Sequence, residues 1–227
     1  MLKKKNESEI KQRVHEVAEL LKIDHVLSHK PKELSNGQKQ RTSLARSLVV
    51  RPSVVLLDDP LRNVDAKIRY EMRLELPKVL KKFNTTVLYV TQDYKEAMAL
   101  GERVGVLANT KFTDVAHPTQ VYKKPSNVTS AKLFGDPTIN ILNAQNSSAG
   151  TSSKITASRI EINVNYPELS GHNNCYVGIR PEDIFVSNQD QEGSIKVELR
   201  AKTPLKLRTV YLLRLEEGVE ILASVSE

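Results

Sequence analysis

The sequence predicts an α/β domain with a parallel sheet, followed by a small all-β domain. The apolar runs VVLL at 54–57 and TVLYVT at 86–91 each have the length and continuity of a strand buried on both faces, and a helical pattern lies between them. Further along, short alternating runs such as ITASRIEINVN and VEILASV follow one another without helical patterns between them. The composition changes near Gly135, which predicts domains at 1–134 and 135–227.

The composition is that of an ordinary globular protein. Of 227 residues, 39% are hydrophobic and 27% charged, and the longest apolar runs fall far short of the ~20 residues that span a bilayer. The single cysteine, Cys175, excludes an internal disulfide. The net charge of +7 is spread along the chain and only 5% of residues are aromatic, so we do not expect nucleic acid as a partner. No secretory leader is expected, because no apolar segment follows Lys3, Lys4 and Lys5.

Three helices are predicted around the first strand. An amphipathic pattern predicts the first helix over 8–29. Ser35 is a good N-cap for a second helix that runs to Val50. Asp65 can cap the third helix, in which Pro77 is expected to introduce a kink.

Two further elements complete the first part of the chain. A short helix is predicted over 94–100, ending at Gly101. Strands over 103–108 and 111–116 are predicted to form a hairpin around Asn109. The strand, helix and strand before them predict a parallel crossover.

The string LSNGQKQR at 34–41 is the first candidate for chemistry. Serine, asparagine and glycine open the predicted second helix, and a helix N-terminus presents free N–H groups and a positive dipole end to a phosphate. Without further context, this string would be interpreted as a helix cap that binds no ligand.

The string VVLLDDPLRNVDA at 54–66 changes that interpretation. It is an apolar strand that ends in the paired carboxylates Asp58 and Asp59, the arrangement that holds Mg²⁺ beside a phosphate. The two strings together predict nucleotide hydrolysis. The phosphate loop G-x-x-x-x-G-K-[ST] is missing from the sequence, so only half of a site is expected.

These strings resemble the motifs of ATP-binding cassette (ABC) ATPases. LSNGQKQR resembles their signature motif, VVLLDDP the Walker B strand, RNVDA the D-loop and YVTQDYKEAMALG the switch segment. The later strings HPTQVYKKP, FGDPTINIL and VGIRPEDIF resemble the regulatory region of the maltose-type carbohydrate importer subgroup. The resemblance implies an N-terminally truncated, P-loop-type ABC ATPase domain at 1–134 and a shortened, OB-like regulatory domain at 135–227.

The resemblance also implies a role for each motif residue. The signature residues would contact ATP held by a second subunit, and Asp58 would bind Mg²⁺. Asp59 stands in place of the family's catalytic glutamate and Gln92 in place of its switch histidine, so both catalytic positions are altered. Asp65 of the D-loop would contact the partner subunit. The signature residues are Ser35, Asn36, Gly37 and Gln38, with Asn36 where the family usually has glycine.

By resemblance, the cofactors are ATP and Mg²⁺, and the partners are a second ABC ATPase subunit and transmembrane permease subunits. The expected location is cytoplasmic, on the inner face of the membrane through the permeases. An alternative is an inactive regulatory or dimerisation module derived from such a subunit. A chromosome-maintenance ATPase shares these motifs, but one short helix precedes the signature here instead of a long coiled coil.

Overall fold

The computed structural model describes residues 6–62, 64–82, 84–149, 152–166, 169 and 171–226. The chain forms two compact units, Met1–Val104 and Gly105–Glu227. The composition instead places the division near residue 135. The assignment of residues 105–134 to the ATPase part therefore stays a prediction.

The first unit contains four helices and a two-stranded sheet among its described residues. Its elements are α1 (Glu7–Leu20), α2 (Asn36–Val49), β1 (Val54–Asp58), α3 (Ala66–Lys82), β2 (Thr86–Val90) and α4 (Tyr94–Leu100). The two strands are parallel, with Val54 opposite Thr86 and Asp58 opposite Val90. The predicted strands, the parallel crossover and the short helix that ends at Gly101 are confirmed.

The first helix is shorter than predicted. It ends at Leu20 instead of residue 29, because the chain reverses at Lys22, which has a φ of 55°. The buried guanidinium of Arg41, on α2, donates to the carbonyls of Leu21 and Lys22 at 3.0 Å each and holds this reversal. The reversal buries Leu21 and Ile23, which a continuous helix would place on different faces.

The predicted caps of the next two helices are confirmed. Ser35 caps α2 and accepts a hydrogen bond from the backbone of Gln38. Asp65 caps α3 and accepts from the backbone of Ile68 at 3.0 Å. Pro77 lies within α3, and the kink there stays a prediction.

The sheet of the first unit is buried on one face only. Val55 and Leu57 join the apolar core formed with α1, α2 and α3. The opposite face carries apolar side chains that are more than half exposed: Val54, Leu56, Leu88 and Val90. The expectation of strands buried on both faces is therefore wrong for this structure, because the described helices pack against the inner face alone.

The second unit begins with the predicted hairpin and two short helices. These elements are β3 (Val104–Ala108), whose first residue closes the first unit, β4 (Lys111–Ala116), α5 (Pro118–Lys123) and α6 (Val128–Leu133). The hairpin is confirmed: β3 pairs with β4, and Asn109 and Thr110 between them have φ values of 49° and 64°. Two consecutive positive φ values are typical of the tight turns that join hairpin strands.

The rest of the second unit is all-β, as predicted. The described residues of this part form seven strands: β5 (Asn140–Ala149), β6 (Ser152–Ala157), β7 (Ile160–Val164), β8 (Asn174–Ile179), β9 (Glu198–Leu205), β10 (Arg208–Glu216) and β11 (Val219–Ser226). They form sheets of order β7-β6-β5-β8 and β11-β10-β9, which share one apolar core. The buried Asn140 joins the sheets, since its amide donates to Ile179 and Leu222 and its oxygen accepts from Leu222. The OB-like arrangement stays a prediction.

Arg180 connects β8 to the two short helices of the second unit. Its guanidinium is buried and donates to the carbonyls of Phe134, of Ala131 at 3.3 Å and of Tyr122 at 2.7 Å. It also lies 4.1 Å from the centre of the Tyr122 ring. Because Pro181 beside it is buried too, Arg180 and Pro181 form a packing element, whereas Glu182 and Asp183 of the string RPED are exposed.

We predict that Arg180→Lys lowers the free energy of unfolding by about 2 kcal/mol, because the single nitrogen of a lysine ammonium cannot span carbonyls that two guanidinium nitrogens contact. Urea denaturation followed by circular dichroism measures this loss. Arg200→Lys on the exposed strand β9 is the matched control, and it should leave the curve unchanged. Equal curves for the two variants would contradict the packing role of Arg180.

Candidate functional site

The parallel sheet brings three predicted site residues to one edge. Asp58 ends β1 opposite Val90, Asp59 follows it, and Gln92 lies two residues beyond Val90. The side chains of Asp58 and Gln92 are exposed, and Asp59 is partly buried. Ligands of open α/β sheets bind at the carboxyl ends of the strands, and these three residues lie there.

The backbone at Asp59 is held from three directions. Its N–H donates to the carbonyl of Val90 at 2.8 Å. Its carbonyl accepts from the backbone of Arg62 and from the side-chain amide of Gln40, both at 3.2 Å. These contacts stabilise a φ of 45°, which aspartate adopts more readily than most residues. The carboxylate of Asp59 lies 3.9 Å from the Nε of Arg62.

Gln40 contacts the candidate site, which its place in the sequence does not predict. It lies in the signature helix α2, and its hydrogen bond joins that helix to the segment after β1. The string LSNGQKQR gives no signal for this contact, because a glutamine in a helix interior is ordinarily a solvated residue.

The N-terminus of α2 is built by a reciprocal cap. The hydroxyl of Ser35 accepts from the N–H of Gln38 at 3.2 Å, and the side chain of Gln38 accepts from the N–H of Ser35 at 2.9 Å. The N–H groups of Asn36 and Gly37 therefore remain at the exposed start of the helix, where no intrahelical acceptor exists. Asn36 is the first helical residue, so the asparagine needs no left-handed backbone here.

The D-loop is shaped by α3. Asp65 is exposed, and its carboxylate caps this helix. The guanidinium of Arg69 donates to the carbonyls of Val64 at 2.9 Å and Arg62 at 3.3 Å, and so holds the loop against the helix. Asn63 of the string RNVDA lies outside the described residues.

A buried polar cluster lies behind the switch segment. The carboxylate of Glu96, which is 2% exposed, accepts from the hydroxyls of Tyr89 and Thr91 at 2.9 Å each. The guanidinium of Arg73, on α3, lies 3.7 Å from the same carboxylate and donates to Asp93. The hydroxyl of Thr91 also accepts from the N–H of Asp93 at 3.0 Å. We call these five residues the switch cluster.

The sequence did not predict the switch cluster, because its charged members resemble ordinary surface residues. A glutamate in the first turn of a helix is typical of a solvated side chain beside the positive end of the dipole. Only the folded structure shows that Glu96 is buried and accepts hydrogen bonds from Tyr89 and Thr91.

Burial and the hydrogen bond to Glu96 raise the pKa of Tyr89 well above its ordinary value of about 10. Ionisation of the phenol would place a second negative charge beside the Glu96 carboxylate. Tyr89 therefore remains a hydrogen-bond donor wherever this unit is folded.

The carboxylates at the sheet edge fit Mg²⁺ that arrives with a nucleotide. The described residues contain no cluster of three or more metal-binding side chains. Mg²⁺ in phosphate sites takes one or two carboxylates and completes its shell with phosphate oxygens and water, so the chemistry of Asp58 and its neighbour Asp59 is compatible with such an ion.

Comparison with known proteins finds one family and several relatives that resemble this chain. The sequence model of the ABC transporter family matches residues 2–62. The sn-glycerol-3-phosphate import ATP-binding proteins of Shigella boydii serotype 4 and Escherichia coli K12 are each 39% identical to the chain over 186 residues, 82% of the chain and 52% of the relative. The protein of that name from Salmonella choleraesuis is 39% identical over 189 residues, 83% of the chain and 53% of the relative. The chain is therefore similar to ABC transporter ATPases over most of its length.

The ABC resemblance expected from the motifs is thereby confirmed. The family match over 2–62 contains the signature residues, Asp58 and Asp59, whereas Gln92 lies beyond it. The chain spans about half the length of the curated relatives it matches. None of the helices described here is both long and apolar enough to cross a membrane.

The raised pKa of Tyr89 predicts a pH dependence of stability. Below about pH 10 the phenol is neutral in both the folded and the unfolded chain. Above that pH the unfolded chain ionises Tyr89 and the folded chain does not, so the free energy of unfolding falls by about 1.4 kcal/mol per pH unit through this residue.

Urea titrations at pH 9 and pH 11 measure this effect. We expect Tyr89→Phe to show a smaller loss than the unmodified chain between the two pH values. Tyr70→Phe is the control, because Tyr70 is 63% exposed. The same loss in all three proteins would argue against a buried, hydrogen-bonded phenol at Tyr89.

Proposed function

We propose that this chain supplies half of a shared ATP-hydrolysis site in an ABC importer. The observation that carries the proposal is the placement of Asp58, Asp59 and Gln92 at one sheet edge, in a chain whose signature helix has an exposed N-terminus. In this arrangement, the residues at the sheet edge contact the nucleotide bound to this chain. The signature residues contact the nucleotide bound to a second ATPase subunit.

Each residue has a distinct task in the proposed reaction. Asp58 would hold and orient Mg²⁺ that arrives with ATP, and the bound ion would supply positive charge that neutralises the phosphates. Asp59 accepts the proton of the attacking water. The amide of Gln92 donates a hydrogen bond to the γ-phosphate, although it cannot carry the proton or positive charge that a histidine can.

The signature acts on the other nucleotide. Ser35 and the N–H groups of Asn36 and Gly37 contact the γ-phosphate held by the second subunit, assisted by the dipole of α2. The side chain of Gln38 supports this contact indirectly, because it closes the helix cap from the other side.

The exposed sheet face supports a further part of the proposal. Parallel sheets are ordinarily covered on both faces, and the outer face of β1 and β2 carries four exposed apolar side chains between Thr86 and Asp58. A helix that follows a parallel strand runs back across the sheet, so a helix packed here would begin at the Asp58 edge. We propose that a segment carrying a phosphate loop, from the half of the ATPase that this chain does not span, covers this face.

The transported solute and the partners are proposed by analogy. The relatives are named for sn-glycerol-3-phosphate import, which supports import of a sugar or a related small solute here. The proposed partners are a second ABC ATPase subunit and transmembrane permeases, which would hold the chain at the cytoplasmic face of the membrane. The all-β part of the second unit is proposed to be an OB-like regulatory domain.

A second candidate is a regulatory or dimerisation module without activity. The presence of Asp59 and Gln92 in place of glutamate and histidine favours it, because aspartate is one methylene shorter and a base misplaced by ~1 Å loses about 10²-fold in rate. Stable dimers that form without permeases or a complete ATPase subunit would support this candidate.

We predict that this chain by itself shows no measurable Mg²⁺-dependent ATP hydrolysis. Most phosphate contacts in such sites come from the phosphate loop and its lysine, and that pattern does not occur in these 227 residues. Co-expression with the half of the E. coli relative that this chain does not match should restore turnover, measured as phosphate release.

The restored turnover should disappear with Asp58→Asn and remain with Asp24→Asn. The second variant is the control, because Asp24 lies in an exposed turn away from the sheet edge. Turnover by the chain alone that Asp58→Asn abolishes would contradict the prediction, and turnover of the combined halves that survives Asp58→Asn would contradict the proposed function.

A further inference from the structure

Both neighbours of Gln92 are held by buried or partly buried groups, whereas Gln92 itself is exposed. Thr91 donates to the Glu96 carboxylate and accepts from the N–H of Asp93. Asp93 accepts from Arg73 and, through its other oxygen, from the N–H of Lys95 at 2.8 Å. The side chain of Gln92 therefore projects from a three-residue segment whose two ends are fixed.

Arg73 connects this segment to a second element of the site. It lies on α3, the helix that begins at the D-loop and is capped by Asp65. Its guanidinium contacts both Asp93 and Glu96. A displacement of α3 would therefore move the anchor of the switch segment as well.

Stability alone does not account for the charged residues of the switch cluster. A buried ion pair is commonly no more stable than apolar residues of the same volume, because both charges lose their hydration. Arg73 is not fully satisfied either: its Nε is buried without a hydrogen-bond partner among the described residues. The helix α4 already has its own cap in Asp93. The charged groups instead fix the orientation of the side chains that they bond to, which apolar contacts would not do.

We propose that Glu96 and Arg73 are positioning residues that fix Gln92 for its contact with the γ-phosphate and tie that contact to the D-loop helix. This inference rests on the proposed function, since it assumes that Gln92 contacts a nucleotide. Neither residue touches the nucleotide. They act through Thr91 and Asp93.

The first test measures hydrogen exchange in the full chain without any nucleotide. Glu96→Gln keeps the size of the side chain and removes the charge that faces Arg73. We expect the amide of Asp93, which Thr91 holds, to exchange about 10-fold faster, while the amides of β1 and β2 keep their protection. Thr91→Val removes only the hydroxyl and should give the same local result, so the test survives if Glu96→Gln fails to fold.

The control variant is Glu75→Gln, on the same helix as Arg73. Glu75 pairs with Lys78 at the surface and contacts no member of the switch cluster in the described hydrogen bonds and ion pairs. Its exchange pattern should match that of the unmodified chain. If Glu96→Gln and Thr91→Val also match it, the inference is overturned.

The second test measures turnover of the combined halves. For Glu96→Gln we expect kcat to fall about 10-fold while the KM for Mg-ATP changes less than about twofold, because the phosphate contact is misplaced and nucleotide binding is not. Arg73→Lys, which keeps the charge, should lose less than Arg73→Gln. Unchanged kcat in all these variants, despite faster exchange at Asp93, would overturn the positioning role.

The two tests separate the inference from the proposed function. If the unmodified combined halves do not hydrolyse ATP, the proposed function fails. Hydrogen exchange then still decides whether Glu96 and Arg73 hold the segment around Gln92. The same exchange rate at Asp93 in the variants and in the unmodified chain would reject that role too.

Discussion

The parallel pairing of β1 with β2 is the interaction on which the candidate site depends. It sets Asp58 opposite Val90, and it lets the N–H of Asp59 donate a hydrogen bond to the carbonyl of Val90 at the end of β2. Residues more than thirty positions apart in sequence therefore share one edge, as Asp58 and Gln92 do. The contacts that helices make with Asp59 and Asp93 then refine the positions of segments that this pairing has brought together.

Side chains from two helices then attach to that edge. Gln40 reaches from α2 to the carbonyl of Asp59, and Arg73 reaches from α3 to Asp93. The first contact joins the signature helix to the carboxylates, and the second joins the D-loop helix to the switch segment. The site is thus linked on both sides to elements that, in the proposed assembly, face a second subunit.

Local patterns predicted much of this arrangement. The caps at Ser35 and Asp65, the two strands and the hairpin at Asn109 follow from residues within a few positions of each other, so a single sequence contains the information. The end of α1 could not be predicted in this way. It depends on Arg41, about twenty positions away, whose guanidinium holds the carbonyls of Leu21 and Lys22.

The same limit applied to the candidate site. Asp58, Asp59 and Gln92 were found because they stand at motif positions, but Glu96 was not, since a first-turn glutamate is typical of a solvated helix end. The burial of the β-strands was overestimated for a related reason. Continuous apolar runs indicate that a strand needs cover on both faces, and they do not show which segment supplies it.

The uncovered face of β1 and β2 also affects how the chain behaves after synthesis. A short parallel sheet with exposed leucine and valine, and with unpaired strand edges among the described residues, has the surface by which sheets associate with unrelated chains. In the proposed assembly, the colloidal solubility of the folded chain would therefore depend on how soon the proposed phosphate-loop segment covers that face, and the concentration of that segment would set the time available before aggregation competes.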